Sequence, residues 1–374
     1  MTLMTRDRED NSRLFLAFEL SAGKWKLGFA REVGAPPRIR TVEAGDLKAV
    51  RAELAEAKRR LGLAEDCAVM SCYEAGRDGF WLHRWLVAEG IDNLVVDPAS
   101  IEVERRRRKR KTDRIDLVKL MNRLIRHAWG EKVWSVARVP SEEAEDMRRI
   151  ERERDRLVHE RVQHQARIKG LLQTHGARSK KVNRSILELR KASDGAPLPK
   201  HLHGELDREL ERLALIGRQL KAVEKELKEV MSGASPAAEV TRQLTRVRGI
   251  GMVGAQVLGF EFFGWRKFNN GREVGALAGL TGTPHNSGSM EHEQGISKAG
   301  NHRVRGVMTE LGWLWLRYQP GSALSRWYQE RFGTGPGRLR RIGIVALARK
   351  LLIALWRFVD QGVIPEGAIV REEA

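Results

Sequence analysis

From Arg13 onward the chain alternates apolar and polar positions in three short runs, LFLAFELS, WKLGFA and RIRTVEA, separated by Ala22-Gly23 and by Pro36-Pro37. Period-two runs of this length between Gly and Pro breakers predict three strands joined as successive hairpins. The period then changes. Leu47 to Leu61 repeats its apolar positions at helical spacing, CAVMSCYEA is an apolar run of strand length, FWLHRWLVAEG is a helix closed by Gly90, and NLVVDP is a further strand.

Three antiparallel strands followed by alternating helix and strand are the element order of a ribonuclease-H-like α/β fold, expected over residues 1–130. Residues 131–235 change character. Between Glu142 and Val230 the pattern predicts two charge-dense helices, with SDGAPLPKHLHG as the turn. The second arm places Leu206, Leu210, Leu213, Ile216, Leu220, Val223, Leu227 and Val230 at steps of three and four, a heptad seam. An antiparallel coiled-coil hairpin able to dimerise is the expectation, with a tetramer as the larger assembly; the alternative is a helix packed on its own domain. After SGASP, residues 236–374 are expected to form a mainly α domain. It opens on LTRVRGIGMVGAQVL, which resembles a helix-hairpin-helix with Gly249 and Gly251 in the turn, where backbone N–H groups are aimed at a phosphate. LAGLTGTPHNSGS reads as a polar loop, and the apolar helices GISKAGNHRVRGVMTELGWLWLRY and RLRRIGIVALARKLLIALWRFV complete the domain.

Charge narrows the partners. The chain has 374 residues and a formal net charge of +19, an excess that points to a polyanion, DNA or RNA. No run approaches the length of a membrane span and the start is too charged for a signal peptide, so a cytoplasmic, nucleoid-associated protein with no membrane contact is expected. The two cysteines, Cys67 and Cys72, are an odd number of residues apart on one predicted strand, which sets them on opposite faces and argues against a disulfide.

Four acids carry the candidate chemistry. A ribonuclease-H-like metal site takes carboxylates from the first strand, the end of the fourth and a later helix. Glu19 sits in an apolar strand, where a lone acid is costly; Glu74 ends the fourth; Asp113 and Asp116, three apart at a helix start, project from one face. Such a set holds Mg²⁺ or Mn²⁺ for phosphodiester chemistry. The run Arg105, Arg106, Arg107, Arg108, Lys109, Arg110 and Lys111 immediately precedes the pair. It supplies phosphate contacts that hold a polyanion without reading bases.

At YEAGRDG, VVDPASIEVERRRRKRKTDRIDLVKL and LAGLTGTPHNSGSMEHEQGISKAGNHRVR the sequence resembles the DEDD transposases of the insertion-sequence one-hundred-and-ten family. That resemblance implies a RuvC-like first domain, a coiled coil and a second transposase domain. It also implies a recombinase acting on double-stranded DNA at element ends and target, guided by a structured non-coding RNA. By position, Glu19, Glu74, Asp113 and Asp116 correspond to the acidic tetrad and Ser287 to the serine nucleophile. The family's first acid is Asp; Glu19 is one methylene longer, so either the strand is displaced to keep metal geometry or this copy is impaired. Tetrad and serine fall in different domains, whose meeting implies closure or a neighbouring subunit. Lys298, Asn301, Arg303 and Arg305 follow Ser287 at positions suited to phosphate, and His285 is near enough to accept a proton, although no triad pattern assigns it that role. His201 and His203 read as a loop rather than a metal site, and Trp313, Trp315 and Trp327 as core. The rival readings are a structure-selective, metal-dependent nuclease, which has no use for Ser287, and a nucleic-acid scaffold whose site has decayed.

Overall fold

The computed structural model describes residues 13–101, 113–287 and 290–371; for Ala99, Asp113, Arg114, 284–287 and 290–294 the description stops at the backbone. The chain divides into two compact units, residues 1–139 and 140–374, and the helical hairpin falls within the second.

The first unit is built on one mixed sheet. Its strands β1 (Leu14–Glu19), β2 (Lys24–Ala30), β3 (Arg38–Glu43), β4 (Val69–Glu74) and β5 (Asp92–Val96) lie in the order β3-β2-β1-β4-β5. The first three pair antiparallel, whereas β4 and β5 run parallel to β1. Parallel neighbours need crossovers, which here are helical: α1 (Leu47–Arg60), capped by the Asp46 side chain on the Ala49 N–H, and α2 (Trp81–Ala88). Leu14, Leu16, Phe18, Trp25, Leu27 and Phe29 face these helices, together with Val50, Ala57, Leu82 and Leu86. The opposite face, with Phe15, Ala17, Met70, Cys72 and Val96, is covered by α3 (Asp113–Ala128) through Leu117, Leu120, Met121, Leu124 and Ile125. This is the expected element order, realised as a sheet with helices on both sides. Both cysteines are free, and Cys67 lies just before β4, not within it.

The second unit begins with α4 (Glu142–Gln173) and α5 (Lys200–Ser232). Ser141 caps α4, and three glutamates occupy its first turn, where the helix dipole favours them. The two helices pack antiparallel: Met147 lies with Leu227 and Val230, Leu157 with Ile216, Leu220 and Val223, and Ile168 and Leu172 with Leu206 and Leu210. The leucine seam is therefore covered by the chain's own first arm. The antiparallel hairpin is as expected, and the ground for expecting dimerisation, a seam with nothing of its own chain to cover it, falls away, because period reveals an apolar stripe but not what buries it. The connector is also longer than expected, spanning 174–199, and His201 and His203 lie inside α5, in its first turn.

Beyond them follow α6 (Pro236–Arg246), α7 (Met252–Leu258), a π-helical turn at Gly259–Phe263, and α8 (Gly271–Leu277). The antiparallel pair β6 (Gly282–Ser287) and β7 (Met290–Ile296) comes next. The chain closes with α9 (His302–Tyr318), α10 (Ala323–Phe332) and α11 (Gly337–Gln361). Leu244, Leu258, Phe262, Val274, Met308, Trp315, Leu351 and Leu355 share one core. Of the tryptophans expected there, Trp315 is buried, Trp327 packs beside Tyr328, and Trp313 is exposed. Among the described residues no helix is long and apolar enough to cross a membrane.

Glu261, in the π turn, has no side-chain exposure. Arg152 of α4 donates to it through Nε at 2.5 Å and Nη2 at 2.8 Å, and Asn301 through Nδ2 at 3.1 Å. Arg303 lies 3.5 Å away and is itself paired with Glu151 at 2.7 Å and Asp155 at 2.9 Å. Burial alone raises a carboxyl's pKa, but the Arg152 hydrogen bonds and charge, with Asn301, outweigh it and hold Glu261 below the ordinary range. Glu151 goes the other way, because burial exceeds its attraction to Arg303.

Two outcomes follow from this packing. Leu220→Ala should lower the unfolding free energy in denaturant by about 2–5 kcal/mol and leave the light-scattering mass unchanged; a halved mass at unchanged stability would place the seam between chains. Glu261→Gln should cost about 1–3 kcal/mol by removing the buried carboxylate that Arg152, itself half exposed, and Asn301 hydrogen-bond. A depressed folded pKa contributes stability that is full above the unfolded value and lost as pH falls through the folded one. The stability gap between parent and Glu261→Gln should therefore narrow on acidification below the ordinary carboxyl range, and a gap constant with pH would contradict the ion-pair account.

Candidate active site

The parallel register of β1 and β4 runs from Leu14 opposite Val69 to Phe18 opposite Tyr73. The next residue on each strand is an acid, Glu19 and Glu74. Side chains alternate along a strand. Because Phe15, Ala17, Met70 and Cys72 all face α3, Glu19 and Glu74 emerge on that same face at neighbouring strand ends. The Cys72 thiol reports this placement, being pushed well up first by burial and then by the negative charge of Glu74. Across the antiparallel side, Lys26 of β2 is the register partner of Glu19. Glu19 and Asp116 are half-buried, and Glu74 is exposed.

Asp113 and Asp116 open α3 on one helical face, and Leu117, one residue on, is fully buried against the sheet. The helix approaches closely at Gly28 of β2, where a Cβ would meet Leu117 Cγ at 3.2 Å. Thus Glu19 and Glu74 emerge on the face of the sheet that is covered by α3, the helix that begins with Asp113 and bears Asp116. Among the described residues no three acidic, histidine or cysteine side chains form a ready-made metal cluster, and the Asp113 side chain lies outside that description. As a donor set, Glu19, Glu74 and Asp116 are all hard carboxylate oxygens, a match for a hard divalent cation such as Mg²⁺ or Mn²⁺ rather than for a thiolate-seeking metal.

In the second unit Ser287 ends β6, and its register partner is Met290. The segment read as a polar loop is thus a two-stranded ribbon, with His285 opposite His292. A lone ribbon is marginal in water, and this one is fastened at its base. Ser297 N–H donates to Thr281 O at 2.8 Å, Asn301 N–H to Leu277 O at 2.8 Å, and Arg305 Nη1 to Lys298 O at 2.9 Å. Lys298 takes the left-handed conformation, φ 56°, rare outside glycine, and Gly300 at φ 108° packs against Leu277 O too closely for any side chain.

The remaining candidates separate by surroundings. Asn301 caps α9 by accepting from the N–H groups of Arg303 and Val304, while its amide holds Glu261. Arg303, expected at phosphate, is engaged instead by Glu151 and Asp155. Lys298 is exposed. Gly249 is left-handed at φ 92° with Tyr318 Cβ 3.1 Å from where its own Cβ would stand, and Gly251 precedes the short α7. The run from Arg105 to Lys111 lies outside the described residues. Sequence reasoning passed over Glu261, although GFEFF, an acid inside an apolar run, carries the same signal that singled out Glu19.

Comparison with known proteins covers both units. A transposase family model matches residues 39–176, and the model described as the IS116/IS110/IS902 transposase family matches residues 241–328. A Sinorhizobium fredii protein described as transposase y4rJ is 43% identical over 385 residues, spanning 98% of this chain and 97% of its own. The Yersinia enterocolitica transposase for insertion sequence element IS1328 is 26% identical over 231 residues, 60% of this chain and 66% of its own. The Coxiella burnetii transposase for IS1111A is 27% identical over 245 residues, 65% of this chain and 64% of its own. With near full-length identity at this level and both units matched in order, the chain belongs to the IS116/IS110/IS902 family of transposases, enzymes whose substrate is DNA.

Proposed function

We propose that this transposase cuts and rejoins DNA by a serine nucleophile, Ser287, assisted by a divalent cation held by Glu19, Glu74, Asp113 and Asp116. The observation that carries the reading is the acid-bearing ends of adjacent parallel strands, facing the helix that carries Asp113 and Asp116. The family implies a divalent metal, and Mg²⁺ or Mn²⁺ suits the oxygen donors. When bound, the cation offsets the negative charge that builds on the phosphate and on the departing oxygen.

The chain's own residues do the rest. The acids emerge together because strand register and parity put them there, and α3 is pinned by Leu117 so that Asp116 is set against the sheet. Ser287 Oγ attacks phosphorus, a new P–O bond forms as the P–O bond to one DNA strand end breaks, and the serine proton leaves with that strand's hydroxyl. The phosphoserine ester conserves the bond, and attack by the hydroxyl of another strand end regenerates serine and joins the DNA. Lys298, Arg305 and the basic run from Arg105 to Lys111 hold phosphates, as does the turn at Gly249 and Gly251, while Asn301 and Arg303 serve the framework beneath the ribbon. A structured guide RNA completes the reading, supported by the excess of positive charge and by the resemblance at KTDRID and GISKAGN.

Because the acids and the serine belong to different units, mutation separates their roles. Asp116→Asn should reduce cleavage at least about a thousandfold while gel-shift affinity for DNA is kept; full cleavage would remove the metal site from the account. Ser287→Ala should abolish the covalent protein–DNA adduct, which in the parent survives denaturation and maps to Ser287. Normal cleavage by Ser287→Ala, with water as nucleophile, would establish the nuclease instead.

A further inference from the structure

The helical hairpin carries an open cleft of about 710 Å³ that neither the acids nor the serine uses. Its volume lies within the range of small-ligand sites. Its apolar lining is Val182 of the connector with Leu210, Leu213 and Ala214 of α5, and its polar lining includes Arg161 and Gln165 from α4, Arg218 from α5 and Arg184 from the connector. Arg184 is paired with Asp207 at 2.6 Å, whereas Arg161 and Arg218 make no ion pair with any described residue.

The charge around the cleft is organised. Helix α4 holds eight acidic and eight basic residues and α5 seven of each, so the arms are balanced. The connector, residues 174–199, has six basic residues against two acidic ones. The hairpin's net positive charge thus sits entirely on the segment that closes one side of the cleft. An apolar lining, two guanidinium groups without an ion pair among the described residues and a cationic edge match one chemistry: an unpaired nucleotide, its base against Leu213 and Ala214 and its flanking phosphates on Arg161 and Arg218. A duplex cannot present that base without unstacking it. Glu211, also on the rim, adds an acceptor suited to an exocyclic amino group, favouring cytosine, adenine or guanine over uracil or thymine.

We propose that this cleft binds a single unpaired nucleotide of the nucleic acid on which the transposase works, a role that rests on the nucleic-acid function above but not on the acids or the serine. The test uses the full-length protein and fluorescein-labelled single strands of about 10 nucleotides, as RNA and as DNA of the same sequence, with duplex DNA for comparison. Arg161→Gln with Arg218→Gln should weaken single-strand binding by about tenfold or more and flatten the log–log salt dependence by about 1.4, two phosphate contacts on a single strand. Duplex affinity should stay unchanged. Ala214→Trp, which narrows the cleft without altering charge, should weaken the same strands, and ultraviolet crosslinking should join the parent to peptides containing Arg161 or Arg218. Single-strand affinity within twofold of the parent in both variants would overturn the proposal, and equal losses on duplex and single strand would reduce the arginines to general phosphate contacts. A preference for RNA or for DNA identifies the source of the nucleotide. Absence of duplex binding by the parent would instead count against the broader reading.

Discussion

A carboxylate shut away from water is tolerable only when cations and hydrogen-bond donors come to it, because removing a charge from solvent costs several kcal/mol unless partners repay it. Glu261 imposes that condition on the second unit. Arg152 must arrive from α4, Asn301 and Arg303 from the start of α9, and the π turn must direct the carboxylate inward to meet them. Once these elements are tied, the hairpin's root is placed and the first turn of α9 cannot shift. The base of the β6–β7 ribbon hangs from that turn, through Asn301 N–H on Leu277 O and Arg305 on Lys298 O. The position of Ser287 along the ribbon thus descends from a salt bridge remote in sequence, Arg152 to Glu261.

In the first unit the governing constraint is parity. Two parallel strands in register, each buried on both faces until its last residue, deliver whatever stands at that last position to the same side. That residue is an acid on both. The same alternation that makes Phe15, Ala17, Met70 and Cys72 a floor for α3 makes Glu19 and Glu74 neighbours at its edge, so packing and charge are set by one rule.

Much of this was legible because it rests on period. Strand alternation and helical spacing are local, and β1 to β5, α1 to α3, α9 and α11 all appear where the apolar pattern puts them. What escaped depends on partners distant in the chain. The seam from Leu206 to Val230 is visible as a stripe, but a stripe is equally compatible with a second copy or with Leu157, Ile168 and Leu172 of the same chain. The ribbon around Ser287 was read as a loop because TPHNS lacks the apolar alternation that marks a half-buried strand. Arg303 illustrates the limit of counting charge, since a guanidinium beside a glycine-rich motif looks like a phosphate ligand until Glu151 and Asp155 are found against it. That Glu19 and Glu74 share the face covered by α3 was legible because the alternation along each strand fixes which side every second residue takes.

The bare patch of β2 at Gly28 sets how near α3 lies to the sheet. Leu117 Cγ and Cδ2 stand 3.2 Å from where a Cβ on Gly28 would be, tighter than ordinary packing, so any larger residue there obliges the leucine side chain to give by a few tenths of an ångström. The lack of one methyl group on β2 is thus what lets the helix bearing Asp116 seat its buried leucine directly on the strand backbone.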